Sequence, residues 1–275
     1  MAKIGVVSLG CAKNQVDTER MLGLLTSAGH TVTPDPAEAD VIIVNTCGFI
    51  EPAKQESINA ILEMARYKQS GRCKKLIVTG CLSERYRAEL ADAMPEIDVL
   101  LGVREYASLP RLLGGNADAP ACGPRTARVL TTPPYSAYLR IADGCDNRCT
   151  YCAIPLIRGR LVSEPVEELV DEAKRLADGG VTELTLIAQD TSGYGLDRYG
   201  KPMLTELLAR LEKIESIHWL RVLYTYPDTV TPALIDRFSQ SEKIVPYLDM
   251  PLQHTEDAIL KRMNRRGDQK HIRDV

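Results

Sequence analysis

Residues 144–152 read GCDNRCTYC and place three cysteines, Cys145, Cys149 and Cys152, within eight residues. A structural zinc site almost always has four protein ligands. No fourth cysteine or histidine lies near this stretch, and ferredoxin-type motifs also supply four cysteines. The stretch therefore predicts a metal centre in which three thiolates leave one coordination position without a protein ligand.

The stretch follows a predicted strand, residues 138–141, and opens a block in which strand and helix signals alternate. Ser163 is placed to cap the first helix, and Gly179 and Gly180 are placed to end it. The predicted elements are helix 165–177, strand 183–188, helix 204–214, strand 220–224, helix 232–238, strand 245–249 and helix 256–263. Such units in series favour a (β/α) barrel. Because they are too few to close one, we expect a partial barrel, truncated at the carboxyl end.

The first 113 residues also alternate strands and helices, which predicts an α/β domain with a doubly wound parallel sheet. The predicted elements are strand 3–9, helix 17–28, strand 40–45, helix 52–68, strand 75–78, helix 83–94 and strand 99–103. Residues 114–137 contain four prolines and three glycines, which indicates a linker. We therefore expect one domain over residues 1–113 and a second over residues 138–275.

Three further cysteines, Cys11, Cys47 and Cys81, each follow the end of a predicted strand in the first domain. The carboxyl ends of parallel strands meet at one edge of a sheet, where open α/β proteins bind their ligands. We expect the three thiols to converge there as metal ligands. Thiolates suit iron–sulfur clusters, and zinc is the alternative metal. Cys73 and Cys122 have no such placement.

The composition excludes some classes of protein. The chain has 275 residues and a formal net charge of −3, which argues against a strong non-specific affinity for nucleic acid. No apolar run approaches the roughly 20 residues of a membrane span, and the start lacks the apolar region of a signal peptide. We expect a cytoplasmic protein whose cysteines stay reduced and serve metal binding or catalysis.

The spacing Cys145-x3-Cys149-x2-Cys152, with Tyr151 before the last cysteine, resembles the cluster motif of radical S-adenosylmethionine (SAM) enzymes. In that family three cysteines hold a 4Fe–4S cluster, and the remaining iron binds the amino and carboxylate groups of SAM. The resemblance implies that an electron from the cluster cleaves SAM to a deoxyadenosyl radical, while the protein positions the reacting atoms.

The upstream cysteines narrow the resemblance to the methylthiotransferases, whose amino-terminal α/β domain holds a second 4Fe–4S cluster. The segments that resemble the RimO type are SLGCAKN at 8–14, NTCGFI at 45–50, AKQES at 53–57, LIAQDT at 186–191 and PLQH at 251–254. The resemblance implies methylthiolation of the β-carbon of an aspartate in small-subunit ribosomal protein number twelve, with SAM as methyl donor and radical source. It also implies a flavodoxin- or ferredoxin-like reductant, action on or near the ribosome, and a monomer.

The resemblance assigns roles to individual residues. The six cysteines would bind the two clusters, and no catalytic residue is implied beyond these ligands. The side chains implied to contact SAM are Tyr151, Gln189, Asp190 and Gln253. For His254, a substrate or packing role stands beside acid–base chemistry.

Basic side chains near both ends of the second domain have two interpretations. Arg158 and Arg160 favour solvated charges, with contact to a carboxylate substrate or an acidic surface as the alternative. Four basic residues near the end of the chain favour a solvated helix over a ribosome contact: Lys261, Arg262, Arg265 and Arg266.

Two other functions remain open. The first is a transfer-RNA methylthiotransferase of the MiaB type, which uses the same cofactors but usually reads Gly-Cys-Gln-Met-Asn at the first cysteine. The second is a non-catalytic iron–sulfur electron-transfer module. The family normally continues through the rest of the barrel to a small carboxyl-terminal β-barrel, which this sequence does not contain.

Overall fold

The structure is a computed structural model that describes residues 1–114 and 128–275. It divides into two compact units, Met1–Thr131 and Thr132–Val275. The first unit is built on a five-stranded sheet, and the second on a three-stranded sheet with a separate two-stranded one. No helix in the described part of the chain is long and apolar enough to cross a membrane.

The sheet of the first unit is parallel throughout, with strand order β2-β1-β3-β4-β5. Its strands are β1 (Lys3–Ser8), β2 (Thr31–Val32), β3 (Val41–Thr46), β4 (Lys75–Gly80) and β5 (Val99–Leu100). All six residues of the central strand β3 are buried, as expected for a parallel strand that is covered on both faces.

The described residues of this unit form six α-helices, of which the first five lie between strands and α6 follows β5. They are α1 (Ala12–Ser27), α2 (Glu51–Ala65), α3 (Tyr67–Ser70), α4 (Cys81–Arg85), α5 (Arg87–Ala93) and α6 (Leu109–Leu112). The predicted helix 17–28 begins five residues earlier, directly after Cys11. Its first turn is polar yet buried, so the apolar pattern did not reveal it. The predicted helix 83–94 is two helices, α4 and α5, because the backbone at Tyr86 leaves helical geometry.

The core of the first unit lies on both faces of its sheet, because neighbouring residues of β3 point to opposite sides. Ile42 and Val44 pack with residues of α2 on one face. Val41 and Ile43 pack on the other face with Met21 and other residues of α1 and α6. Cys73 is buried in the first of these clusters, so it acts as a small apolar core residue.

The second unit has a parallel sheet of β6 (Ser136–Arg140), β9 (Glu183–Ile187) and β10 (Trp219–Val222), and an antiparallel pair of β7 (Ala142–Asp143) and β8 (Val162–Ser163). Its helices are α7 (Ile154–Ile157), α8 (Val166–Asp178), α9 (Leu196–Tyr199), α10 (Leu204–Leu211), α11 (Pro232–Gln240), α12 (Asp257–Arg262) and α13 (Gln269–Asp274). The central strand β9 pairs with β6 and β10, so its end lies between theirs.

Two predictions for the second unit are wrong. Residues 245–249 do not form a strand; the contact with the sheet is a single parallel bridge from Ile244 to Leu220. Pro246 follows and cannot donate a ladder hydrogen bond. Ser163 does not cap α8, because its hydroxyl accepts a hydrogen bond from Gly195 N instead.

The described residues of the predicted linker 114–137 belong to one or the other of the two units. Residues 115–127, including Cys122, lie outside the described residues. Arg128 forms an ion pair with Glu19 of α1 at 2.6 Å, and both side chains are buried. Thr131 also donates to Glu19, from its backbone N and from Oγ1, at 2.9 Å each. Ser136 begins β6.

We predict that Gly80→Ala destabilises the first unit more than Gly29→Ala. Both glycines have a left-handed backbone, with φ of 99° and 89°. This conformation alone is unfavourable for an alanine by about 1–2 kcal/mol. At Gly80 a Cβ atom would lie 2.5 Å from Asn45 Oδ1 and from the Thr46 carbonyl oxygen, whereas at Gly29 the nearest atom is a Met1 side-chain carbon at 4.0 Å.

Urea denaturation of the two variants measures the difference. Crowding at Gly80 should lower the free energy of unfolding by at least about 2 kcal/mol more than the change at Gly29. Equal free energies of unfolding for the two variants would show that the edge of the sheet relaxes around the methyl group added at Gly80.

Candidate metal and cofactor sites

The cysteine-rich loop of the second unit begins at a glycine that no other residue can replace without a shift in backbone. Gly144 has φ of 77°, and a Cβ atom there would lie 2.0 Å from the carbonyl oxygen of Arg160. Cys145 N donates to the Gly159 carbonyl at 3.1 Å. The loop is therefore held against residues 159–160 from its first residue.

Two tight turns within this loop follow Gly144. Arg148 adopts a left-handed backbone with φ of 52°, and Cys152 N donates to the Cys149 carbonyl at 3.0 Å. Asn147 N donates to Cys145 Sγ at 3.5 Å. All three cysteines are half-buried and free of disulfide bonds.

The electrostatic environment of this loop opposes three free thiolates. Burial raises the pKa of the Cys145 thiol to about 11, and negative charge on Asp190, Cys152 and Cys149 acts in the same direction. Burial likewise raises the pKa of Cys152, with a further contribution from Cys149. A bound cationic metal centre would compensate this repulsion, because metal coordination deprotonates thiols.

Asp190 ties the end of β9 to the cysteine-rich loop. Its Oδ2 accepts a hydrogen bond from Asn147 Nδ2 at 2.9 Å, and its Oδ1 accepts from Ser192 Oγ and Gly193 N at 2.9 and 3.0 Å. Asp190 and Cys145 also line one cavity of about 590 Å³, a volume typical of small-molecule sites. Asp190 is thus an anchor for the loop as well as a cavity residue.

Gln189 belongs to a buried polar group with Asp143. Its Nε2 donates to Asp143 Oδ1 at 2.9 Å, while its Oε1 is buried without a hydrogen-bond partner among the described residues. Burial alone would raise the pKa of the Asp143 carboxyl, but the charges of Arg140 and Arg158 hold it below its usual value. The buried Gln189 oxygen can accept a hydrogen bond from a bound ligand.

The interpretation of Arg158 as a solvated charge is wrong. Its side chain is 2% exposed and pairs with Asp143 at 3.2 Å. Arg160 does have the predicted exposed side chain and pairs with Asp146 at the same distance. The difference arises because α7 ends at Ile157 and the next residue, Arg158, directs its guanidinium to the Asp143 carboxylate. Residue type alone does not indicate this contact.

Tyr151 lies in the cysteine-rich loop, whereas Gln253 comes from a distant part of the sequence. Tyr151 is about half exposed; partial burial and the neighbouring Cys149 raise its pKa to about 12. Gln253 is exposed and has φ of 69°, and within the described ranges no hydrogen bond joins its side chain to the loop. His254 is also exposed, and its Nδ1 accepts from Glu256 N at 2.9 Å.

The basic segment after α12 packs against the cysteine-rich loop, so a solvated helix does not describe it fully. Thr150 N donates to the Met263 carbonyl at 3.1 Å, and Asn264 Nδ2 donates to the Arg148 carbonyl at 2.9 Å. Asn264, like Arg148, has a left-handed backbone, with φ of 53°. Such residues concentrate at functional sites, and sequence reasoning missed both.

In the first unit, the strand register brings the other three cysteines to one edge. Asn45 of β3 pairs with Ser8 of β1 and with Thr79 of β4. Ser8, Asn45 and Thr79 thus lie side by side near the carboxyl ends of β1, β3 and β4. The residues two or three positions later in the chain therefore follow the ends of these strands. These residues are Cys11, Cys47 and Cys81.

Close backbone packing brings the three segments together. A Cβ atom on Gly10 would lie 2.9 Å from Cys47 Cβ and 3.2 Å from its Sγ. A Cβ atom on Gly48 would lie 2.7 Å from Leu82 Cα and 3.0 Å from the Cys81 carbonyl carbon. The glycines beside the cysteines are therefore needed for close approach.

The three thiols differ in exposure. Cys11 is exposed, Cys47 is half-buried and Cys81 is buried. Ser57 of α2 fixes Cys47 on both sides, because its Oγ accepts from Cys47 N at 3.0 Å and donates to the Cys47 carbonyl at 2.9 Å. The three thiols thus range from exposed at Cys11 to buried at Cys81.

The donor sets of both sites suit a metal that takes three thiolates. No group of three or more His, Cys, Asp or Glu side chains in residues 1–114 and 128–275 is already arranged to hold a single metal ion. Neither site therefore has the closed ligand set of a structural zinc site. A donor set of three thiols without a fourth protein ligand would suit an iron–sulfur cluster better.

Family models and relatives agree on the two parts of the chain. Residues 3–102 match the uncharacterized protein family UPF0004, and residues 139–275 match the radical SAM superfamily. Ribosomal protein uS12 methylthiotransferase RimO of Clostridium perfringens is 51% identical over 98% of this chain. The Clostridium tetani protein of the same name is 49% identical over 99%. The chain spans 63% of the length of each relative.

Solved structures show the same fold at low identity. The radical SAM methyltransferase TsrM of Kitasatospora setae, solved with tryptophan and a SAM analogue, has a TM-score of 0.65 at 13% identity, and the match covers 98% of this chain and 64% of that one. The cobalamin-dependent SAM radical enzyme OxsB has a TM-score of 0.63 at 11% identity, covering 99% and 47%. With the two parallel sheets, these likenesses confirm the predicted α/β fold with a partial barrel.

We predict that Asp143→Asn destabilises the second unit far more than Asp146→Asn. Both carboxylates pair with an arginine at 3.2 Å, but the Arg158–Asp143 side chains are 2% and 17% exposed, against 80% and 36% for Arg160–Asp146. Breaking the buried pair leaves a charged Arg158 and should cost about 3–5 kcal/mol. The exposed pair should contribute about 0–1 kcal/mol.

Chemical denaturation followed by circular dichroism measures the free energy of unfolding of both variants. If Asp143→Asn loses no more stability than Asp146→Asn, the buried Arg158–Asp143 pair does not stabilise the second unit as proposed.

Proposed function

Because the chain belongs to the radical SAM methylthiotransferases of the RimO type, we propose that it attaches a methylthio group to the β-carbon of an aspartate in ribosomal protein uS12. The observation that carries this proposal is the second set of cysteines. A radical SAM enzyme needs one set of three thiols, whereas this chain has a further set at the edge of the sheet in its first unit.

Each set of thiols would hold one 4Fe–4S cluster. The ligands are Cys145, Cys149 and Cys152 in the second unit, and Cys11, Cys47 and Cys81 in the first. When bound, the cluster in the second unit supplies the electron for reductive cleavage of SAM. The repulsion among the half-buried thiols of Cys145 and its neighbours supports metal binding there. The contacts of Ser57 and the close approach at the glycines support it in the first unit.

SAM would bind at the ends of the strands of the second unit. Asp190 lines the cavity beside Cys145, and Gln189 has a buried oxygen ready to accept a hydrogen bond. Tyr151, next to Cys149, would complete the contacts near the loop. Gln253 follows residues 245–249, which the sequence predicts as the fourth strand but which form no strand in the structure. Its left-handed backbone is consistent with a binding loop.

The substrate and partners follow from the same family membership. The curated relatives are named for uS12, so the chain would act in the cytoplasm, on or near the ribosome, as a monomer with a flavodoxin- or ferredoxin-like reductant. The domain assignment that accompanies this proposal is a cluster-binding domain over residues 1–113 and a SAM domain over residues 138–275.

We predict that anaerobic reconstitution loads about eight iron atoms per chain, four for each cluster. Cys11→Ala and Cys145→Ala should each lower the iron to about four, because each removes one ligand from a different site. Iron analysis with protein quantitation measures this. SAM cleavage after reduction should disappear in Cys145→Ala.

Cys73→Ala is the control, because Cys73 is a free cysteine buried in the core. It should keep the full iron content. Iron near four in the unchanged chain, unaffected by Cys11→Ala, would disprove the second cluster.

We predict that the substrate is the ribosomal protein and not transfer RNA. The reconstituted chain is incubated with SAM, a reductant and sulfide, in parallel with uS12 and with transfer RNA. An aspartate-containing peptide of uS12 should gain the mass of one methylthio group less that of the hydrogen atom it replaces. Mass spectrometry of both substrates makes the comparison. A methylthio group on transfer-RNA adenosine with unmodified uS12 would assign the chain to the other branch of the family.

A further inference from the structure

Asn14 is a polar side chain at the edge of the first sheet that the proposed chemistry does not yet use. It lies in the first turn of α1, three residues after Cys11, and is completely buried. Asparagine is mostly exposed in proteins, and burying an amide is costly unless its polar atoms are paired. Its burial therefore needs an explanation from its contacts.

The amide of Asn14 contacts all three cysteine segments. Its Nδ2 donates to the carbonyl oxygens of Leu9 at 3.0 Å and Thr46 at 2.8 Å. Its Oδ1 accepts from the thiol of Cys81, with Sγ at 3.5 Å. Leu9 and Thr46 precede Cys11 and Cys47 by two residues and one residue.

The backbone of Asn14 is fixed as well. Its carbonyl oxygen accepts a hydrogen bond from Asn45 Nδ2 at 2.8 Å, and Asn45 lies on β3 between the two neighbouring strands. The amide is thus held in place from β3 while it binds the ends of β1 and β3. An aspartate could not donate these two hydrogen bonds, and an apolar side chain would leave both carbonyls without this donor.

We propose that Asn14 is a positioning residue for the amino-terminal 4Fe–4S cluster, because it sets the relative positions of Cys11, Cys47 and Cys81. This inference rests on the proposed function. The two N–H···O bonds do not depend on the protonation of Cys81, so they persist when a metal replaces the thiol proton. Polar groups beside cluster sulfurs tune the properties of a cluster, and Asn14 places its amide dipole beside Cys81.

The test isolates the amino-terminal site. A chain with Cys145→Ala, Cys149→Ala and Cys152→Ala should reconstitute about four iron atoms and serves as the parent. Adding Asn14→Asp keeps the side-chain volume but removes both donors. We expect release of iron to a chelator to be at least about fivefold faster, the factor for loss of one ordinary hydrogen bond, and an altered electron paramagnetic resonance spectrum of the reduced cluster.

His30→Ala in the same parent is the matched control. His30 is a buried polar residue of the same unit, and its Nδ1 accepts from Ala2 N at 3.2 Å, near the start of β1. Losing it removes a buried hydrogen bond far from the cysteines. Iron release and the spectrum should stay those of the parent, even where the denaturation midpoint falls.

The outcomes separate the inference from the proposed function. A parent without iron would overturn the second cluster itself. A parent with iron, and an Asn14→Asp variant with the same release rate and spectrum, would overturn only the role of Asn14. If Asn14→Asp does not fold, Asn14→Ala, which adds no charge, takes its place. Loss of fold in both, with His30→Ala folded, would overturn the proposal and give Asn14 a purely structural role.

Discussion

The parallel pairing of β1, β3 and β4 is the constraint on which the first site depends. Parallel strands in register must end at a common edge, so residues 36 and 34 positions apart in the sequence become neighbours in space. No local motif is needed to gather Cys11, Cys47 and Cys81. Two helices then supply polar contacts to the segments that follow the strands. Asn14 of α1 donates to the Leu9 and Thr46 carbonyls, and Ser57 of α2 accepts from the backbone N of Cys47.

The second site brings its three cysteines together through a loop and not through a sheet. Its three cysteines are close in sequence, so the loop must turn sharply and be held from outside. The left-handed Arg148 and the crowded Gly144 make the turns. Asp190 and Asn264 hold the loop through side-chain hydrogen bonds. One site therefore depends on sheet topology and the other on the conformation of a single loop, yet each supplies three thiols to its proposed cluster.

The sequence allowed prediction of the strands of four or more residues, of the cysteines that follow three of them and of the fold class, because buried parallel strands appear as short apolar runs. It did not reveal the two-residue strands β2, β7 and β8. It did not reveal the start of α1, where the apolar pattern is interrupted by the buried polar residues Lys13, Asn14 and Asp17. It also placed a strand at residues 245–249, where the apolar run is interrupted by a proline. The burial of Arg158 could not be predicted, since the contacts that bury a charge are tertiary.

The central claim is that the chain holds two clusters, one in each unit. Anomalous diffraction at the iron absorption edge, from crystals of the anaerobically reconstituted chain, tests it most directly. Two separate iron peaks are expected, one among Cys11, Cys47 and Cys81 and one among Cys145, Cys149 and Cys152. A single peak at the second site, with ordered but unmetallated cysteines at the edge of the first sheet, would contradict it.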